Sequence, residues 1–314
     1  MRMNASSNNS RRSGFTLIEL MVVMVLLSFV VGGLVKVIAG QQRFYRSAGD
    51  LMESRGQIRQ AVSLLPADLR GMSTVGGDVL AASDVSIDFR ATIANSAVCS
   101  ATANTLTFPP QVLASGQTIS AGRATAGAGD FVATYDDGPT TGRADDRWRI
   151  YTITGVTQPV GACVAPFVSA PDLLRTGYVV SVAEAVSSDI VQGAPVRFLR
   201  RITYSLYTAA DGKAYLGYVE CPGGVCSTIQ PVSGPYRSFV STSNAANGLQ
   251  IQYFDSTDVE ISGAQLAVPA NLARIARLRI SVRGETANAM AVPGMPAARK
   301  QDELTVHVGV RNRQ

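Results

Sequence analysis

Residues 11–20 read Arg11-Arg12-Ser13-Gly14-Phe15-Thr16-Leu17-Ile18-Glu19-Leu20, and MVVMVLLSFVVGGLV then continues without a charge to Val35. From Phe15 to Val35 there are 21 residues with Glu19 as the one charge, close to the ~20 that an α-helix needs to cross a bilayer. A conventional secretory signal has a shorter apolar run, no acid within it and a small-x-small cleavage site behind it. Val37-Ile38-Ala39 fits that last element only loosely, and no cysteine precedes Cys99 to offer a lipoprotein site. Ser10-Arg11-Arg12 invites a twin-arginine reading, which Gly14 and the long apolar run oppose.

Glu19 is the anomaly. A carboxylate at the bilayer centre costs roughly 2.5–3.5 kcal/mol, and less near the interface, so it calls for a partner. Cleavage between Gly14 and Phe15 would create an α-amine four residues before Glu19. One helical turn separates the two groups, which puts Glu19 within reach of its own amine or that of a neighbouring chain. The alternative is an interfacial glutamate that snorkels to headgroup water.

The whole chain has 314 residues with 28 basic and 23 acidic side chains, 46% hydrophobic residues and one histidine, His307. That composition belongs to a folded protein with a core. A lone histidine leaves no material for a two-histidine zinc motif and little for a Ser-His-Asp relay, which demotes enzymology. The basic excess is local: residues 1–14 carry +3, residues 15–71 carry +2 and residues 72–314 sum to zero. The bulk of the protein therefore has no net attraction for phosphate, and nucleic acid is not an expected partner. Arginines flank the span on both sides, so charge alone leaves its orientation open.

Beyond the span, Phe44, Ala48, Leu51, Arg55, Ile58, Val62, Leu65 and Leu69 follow a four-three spacing. This predicts a continuing amphipathic helix with Arg55 as the polar interruption of its stripe. Pro66 is expected to kink the last turn and Gly71 to end it. A helix from Phe15 to about Arg70 would be roughly 80 Å long at the α-helical rise.

After Gly71 the sequence changes to short apolar runs broken by turn residues. Leu278, Ile280 and Val282, then Leu304, Val306, Val308 and Val310, and Ile202, Tyr204 and Leu206 alternate with mostly polar neighbours. Asp211-Gly212 and Asn247-Gly248 mark turns between such runs, so the head is expected to be antiparallel and β-rich. The arginines at 197–201 and 274–283 read as its solvated face. The resulting fold class is α+β, a long N-terminal helix packed on a β-rich head. Its segments are 1–14, 15–71 with the span at about 15–38, and 72–314.

Cys99, Cys163, Cys221 and Cys226 all follow the span and permit three pairings. The pairing favoured joins Cys221 to Cys226, worth roughly 2 kcal/mol, and Cys99 to Cys163, worth roughly 4 kcal/mol on chain-entropy grounds. Asp136, Asp137, Asp145 and Asp146 are candidate calcium ligands, although their spacing fits no EF-hand and acid-rich turns are commonly just solvated. No other metal and no cofactor is expected.

The basic leader, Gly14, Phe15-Thr16-Leu17-Ile18-Glu19 and the long apolar run resemble the class III signal of type IV prepilins and type II secretion pseudopilins. The resemblance implies that a prepilin peptidase cleaves after Gly14 and methylates the amine of Phe15. It also implies that Glu19 recognises the N-terminus of an adjacent subunit. Family members often carry a proline midway along the helix, where this chain has Gly32-Gly33. Ala67-Asp68-Leu69-Arg70, the strand through Tyr204 with its DG turn, residues 248–255, 276–282 and a closing strand into Arg311-Asn312 occur in an order similar to that of W-type minor pilins and J-type minor pseudopilins. Residues 92–200 fit that order poorly and read as an insertion. The expected function is a non-catalytic minor pilin at or near the pilus tip that primes assembly. A J-type pseudopilin is the alternative, and a membrane-anchored periplasmic enzyme or binding module a remote one. Implied partners are other minor pilins, the major pilin, prepilin peptidase, the inner-membrane assembly platform and a tip adhesin. The implied location is the inner membrane, with a cytoplasmic N-terminus and a periplasmic head that later enters the filament.

Overall fold

The structure is a computed structural model of the chain. It describes residues 16–118, 122–140, 142, 144–238, 247–286, 288–289 and 296–310. Two compact units divide the molecule, Met1–Met52 and Glu53–Gln314.

Helix α1 runs from Leu17 to Leu69 and supplies residues to both units. Its first part is rich in valine, a mediocre helix former in water, and it contains Gly32-Gly33. In an apolar medium the same segment is driven to helix, because backbone groups there must pair internally. The helix passes through Pro66, and Arg70 N–H then donates to the Pro66 carbonyl at 3.1 Å before the chain leaves the helix.

In the second unit the buried face of α1 is Ser54, Ile58, Ala61, Leu65 and Leu69. This corrects the predicted stripe. Arg55 does not interrupt it but stands outside, 54% exposed, and its Nε reaches Asp302 at 2.6 Å. Phe44, placed on the stripe by its spacing, is 69% exposed in the first unit. The reason for the shift is steric. Strand β13 (Arg277–Glu285) passes beneath the helix at Gly284, where an added Cβ would lie 2.6 Å from Ser54 Oγ and 2.8 Å from Ile58 Cδ1. Small residues face each other at this crossing, and hydrophobic spacing does not register them.

The head is antiparallel throughout its named strand pairs. Its spine is β8 (Pro195–Thr208), which pairs along one side with β2 (Ser86–Ala97). On its other side the first half of β8 pairs with β5 (Phe131–Asp136) and the second half with β9 (Ala214–Glu220). One wing continues from β5 through β6 (Arg147–Thr157), β7 (Tyr178–Val182), β4 (Thr105–Phe108) and β3 (Ser100–Ala101). The other continues from β9 through β10 (Gln230–Tyr236), β13, β11 (Leu249–Phe254) and β12 (Glu260–Ile261). Strand β1 (Val79–Ser83) pairs with β2, and β14 (Gln301–Gly309) lies along β13.

Each wing has its own core. The first core, that of the wing beginning at β9, gathers Ile58, Leu65 and Leu69 of α1 with Phe89, Ile202, Tyr253 and Ile280. The second is built by residues 93–198, among them Ile93, Leu106, Phe108, Val132, Ile153 and Phe198, and takes nothing from the helix. The poorly matched segment of the sequence thus folds around a centre of its own. Alternation from Leu304 to Val310 predicts four inward residues; the structure buries Val308 and Val310, half-buries Val306 and leaves Leu304 41% exposed.

Candidate functional site at the start of the helix

Thr16 precedes the first turn of α1. Its backbone N–H and its hydroxyl both reach Glu19 Oε2 at 3.1 Å, while Glu19 N–H donates to Thr16 Oγ1 at 3.3 Å. The two residues form a reciprocal capping box, which satisfies donors that the first turn of a helix leaves unpaired. Glu19 is therefore turned back towards the chain's N-terminal side. Thr16 went unnoticed as its partner in the sequence, although threonine three residues before glutamate ahead of an apolar run is a known helix-start signal.

From Leu17 to Ile38 the apolar side chains are exposed on every face, Leu17 at 80%, Val25 at 55% and Phe29 at 74%. A helix that is hydrophobic all round needs an apolar environment. Among the described residues α1 is the helix long and apolar enough to cross a membrane. Residues 9–35 match the family described as Prokaryotic N-terminal methylation motif. The match covers the last part of the leader with Arg11 and Arg12, Glu19 and the apolar run, and it ends about a third of the way along the helix. No curated protein and no solved structure matches the chain. The motif supports a type IV pilin-like or pseudopilin precursor and implies processing by prepilin peptidase and assembly with pilus components. It suggests a structural rather than a catalytic protein, and with the apolar helix it is consistent with a single membrane anchor. Gly14 and Phe15 lie outside the described residues.

The remaining candidate residues lie in the head. Disulfides join Cys99 to Cys163 and Cys221 to Cys226. The four aspartates of the acidic turns mostly serve the turns themselves. Asp136 is buried and ion-paired with Arg149; burial would raise its pKa, but hydrogen bonds led by that from Arg149 hold it below the usual carboxylate range. Asp145 accepts from the Thr140 hydroxyl at 2.8 Å and the Thr140 N–H at 2.9 Å, and the hydroxyl bond lowers its pKa most. Asp146 accepts from the Tyr135 hydroxyl at 2.7 Å, and Asp137 faces solvent. The cleft beside them is also lined by Arg147 and Arg149, whose charge opposes a cation. Among the described residues no group of three or more His, Cys, Asp or Glu could hold a metal ion.

The arginines at 197–201 do not form one solvated face. Arg197 is buried and donates to Asp78 Oδ2 at 3.0 Å and to the Gly71 carbonyl at 2.9 Å, with its guanidinium over the Trp148 ring. Arg200 makes a two-point bond to Asp130 at 2.8 and 2.9 Å and reaches Glu220 at 2.9 Å, contacts that raise its pKa. These residues lock the segment after the helix, and the loop before β5, onto the sheet. His307, at the surface of β14, meets Arg277 through Nδ1 at 2.9 Å.

Proposed function

We propose that this chain is a minor pilin of a type IV pilus: a non-catalytic subunit that enters the inner membrane, helps to prime assembly and takes a place at or near the tip. On this reading prepilin peptidase cuts between Gly14 and Phe15 and methylates the new amine. Glu19 then receives the amine of an adjacent subunit. The observation that carries it is the acid at the start of an otherwise apolar stretch of helix, exposed from Leu17 to Val35, within a segment that matches the methylation motif. The head supports a rare position. With two cores on a 14-stranded sheet it is bulky for the repeated subunit of a filament. A type II secretion pseudopilin of the J kind is the second reading, since the order of the head segments resembles both kinds of subunit.

Gly14→Ala is expected to leave the protein at precursor mass, whereas the unaltered chain begins at methylated Phe15 by mass spectrometry. Glu19→Ala is expected to be cleaved but to leave cells with few surface filaments. A native N-terminus elsewhere than Phe15 would overturn the proposal. Deletion that spares surface pili and blocks exoprotein release would favour the pseudopilin.

A further inference from the structure

Helix α1 changes character at Gln41. From Leu20 to Gly49 the sequence contains no acid and three bases, Lys36, Arg43 and Arg46. Gln41-Gln42 ends the apolar run, and Arg43-Phe44-Tyr45-Arg46 follows. Successive residues of an α-helix are about 100° apart, so these four make one full turn. The two arginines take one side of the turn, and the two aromatic rings take the rest of its circumference. All four side chains are exposed, Phe44 at 69% and Tyr45 at 71%, and the two rings meet edge-on with centroids 6.0 Å apart. Lys36, also exposed, stands two turns before Arg43 on the same side of the helix.

Counting along the helix gives the depth of this turn. A carboxylate such as Glu19 belongs at a boundary of the hydrocarbon, where water or an amine can meet it. Phe44 and Tyr45 are 25 and 26 residues further on, or about 38 Å along the axis. At the common tilt of about 20° this is about 36 Å across a bilayer. The hydrocarbon is about 30 Å thick, and the headgroup regions bring the total to about 40–45 Å. The two rings therefore fall about 6 Å beyond the second boundary, among the headgroups. Tyrosine favours that level because its ring is apolar and its hydroxyl is polar. Lys36 is 17 residues past Glu19 and lies short of the boundary, but its flexible stem carries the ammonium outward towards Arg43.

We propose that this turn is a collar that binds anionic phospholipid in the leaflet away from Glu19. Arg43, Arg46 and Lys36 meet lipid phosphate, while Phe44 and Tyr45 lie among the headgroups, and together they set the depth of the helix before the subunit enters a filament. The proposal rests on the membrane-anchor part of the reading above. Charge selects the occupant, since three bases with no acid between Glu19 and Asp50 attract an anionic surface. Shape selects it too. A neighbouring protein touches one side of a helix, whereas a lipid interface surrounds it, and here every side of one turn carries an interfacial side chain. A second copy at the same depth would bring like charges together.

The test uses the full-length chain in vesicles of phosphatidylcholine and phosphatidylglycerol. The single tryptophan, Trp148, lies in β6 of the head, so the emission of the unaltered chain is the blank for Phe44→Trp and Phe29→Trp. Bromine on the acyl chains near the headgroup is expected to quench the Phe44→Trp chain more than bromine near the chain ends does, and the reverse is expected for Phe29→Trp. At equal mole fraction, brominated phosphatidylglycerol should quench the Phe44→Trp chain about twofold more than brominated phosphatidylcholine. Arg43→Gln with Arg46→Gln should remove that preference, and about 500 mM salt should reduce it. Stronger quenching of Phe44→Trp from the chain ends, equal quenching by the two lipids, or a preference that survives the paired arginine changes would overturn the proposal. So would quenching that vanishes as the protein is packed more densely, the mark of a second copy over the turn. If Phe29→Trp is quenched by neither lipid, α1 is not in the bilayer and the anchor reading falls as well; if only the headgroup preference is missing, that reading stands and the collar alone is refuted.

Discussion

Asp78 and Arg197 sit at the point where the chain leaves the helix and enters the sheet, with side chains 0% and 8% exposed. Their pairing is incomplete, since Asp78 Oδ1 and Arg197 Nε and Nη2 are buried without a partner. Burial raises the Asp78 pKa, and the charge of Arg197 opposes that rise without cancelling it. Arg197→Met would strand the carboxylate, and about 3–5 kcal/mol of stability should be lost, read from denaturant unfolding at pH 7. Because the folded pKa of Asp78 lies above 3.8, its contribution to stability is complete below that pH and is lost as pH rises through the folded value. Asp255 has the opposite sign. Hydrogen bonds, first that of the Thr257 hydroxyl and then those of the Thr257 and Val259 N–H groups, lower its pKa to about 2. Its contribution is therefore present above 3.8 and lost as pH falls through about 2. The stability gap between the unaltered chain and Asp255→Asn should be constant from neutral pH to near 4 and should close below it, as followed by thermal unfolding at stepped pH.

Among the elements, the crossing of α1 over β13 has the least tolerance. Gly284→Val would push against Ser54 and Ile58, and overpacking of this kind costs about 1–3 kcal/mol. Pairing it with Ile58→Ala should restore part of the loss, a coupling that a double-mutant cycle measures. The existence of α1, its origin near Phe15 and the strands around Tyr204, Ile251 and Ile280 were legible in the sequence, because long apolar periodicity survives without a tertiary context. The phase of the buried face was not. Ser54 and Gly284 meet because both are small, and a hydrophobic pattern is blind to smallness. The buried role of Arg197 was equally hidden, since an arginine in a strand has the same local appearance whether it faces water or an aspartate 119 residues away. The capping box at Thr16 was legible and only needed the spacing to be noticed.

At the scale of the molecule, the two disulfides differ in what they span. Cys99 and Cys163 are 64 residues apart and Cys221 and Cys226 are 5 apart. On the chain-entropy model, Cys99→Ser with Cys163→Ser should lower stability by about 4 kcal/mol and the other pair of changes by about 2 kcal/mol. Thermal unfolding of the two variants should rank them in that order. The first loss should reach the second core in hydrogen exchange, because Cys99 and Cys163 flank the strands that build it.

The connectivity is also consecutive, first cysteine with second and third with fourth. An oxidant that joins thiols in the order of their synthesis therefore makes the native bonds directly. No reshuffling step is required, and cells that lack a disulfide isomerase but keep the oxidant should accumulate the folded protein in undiminished yield.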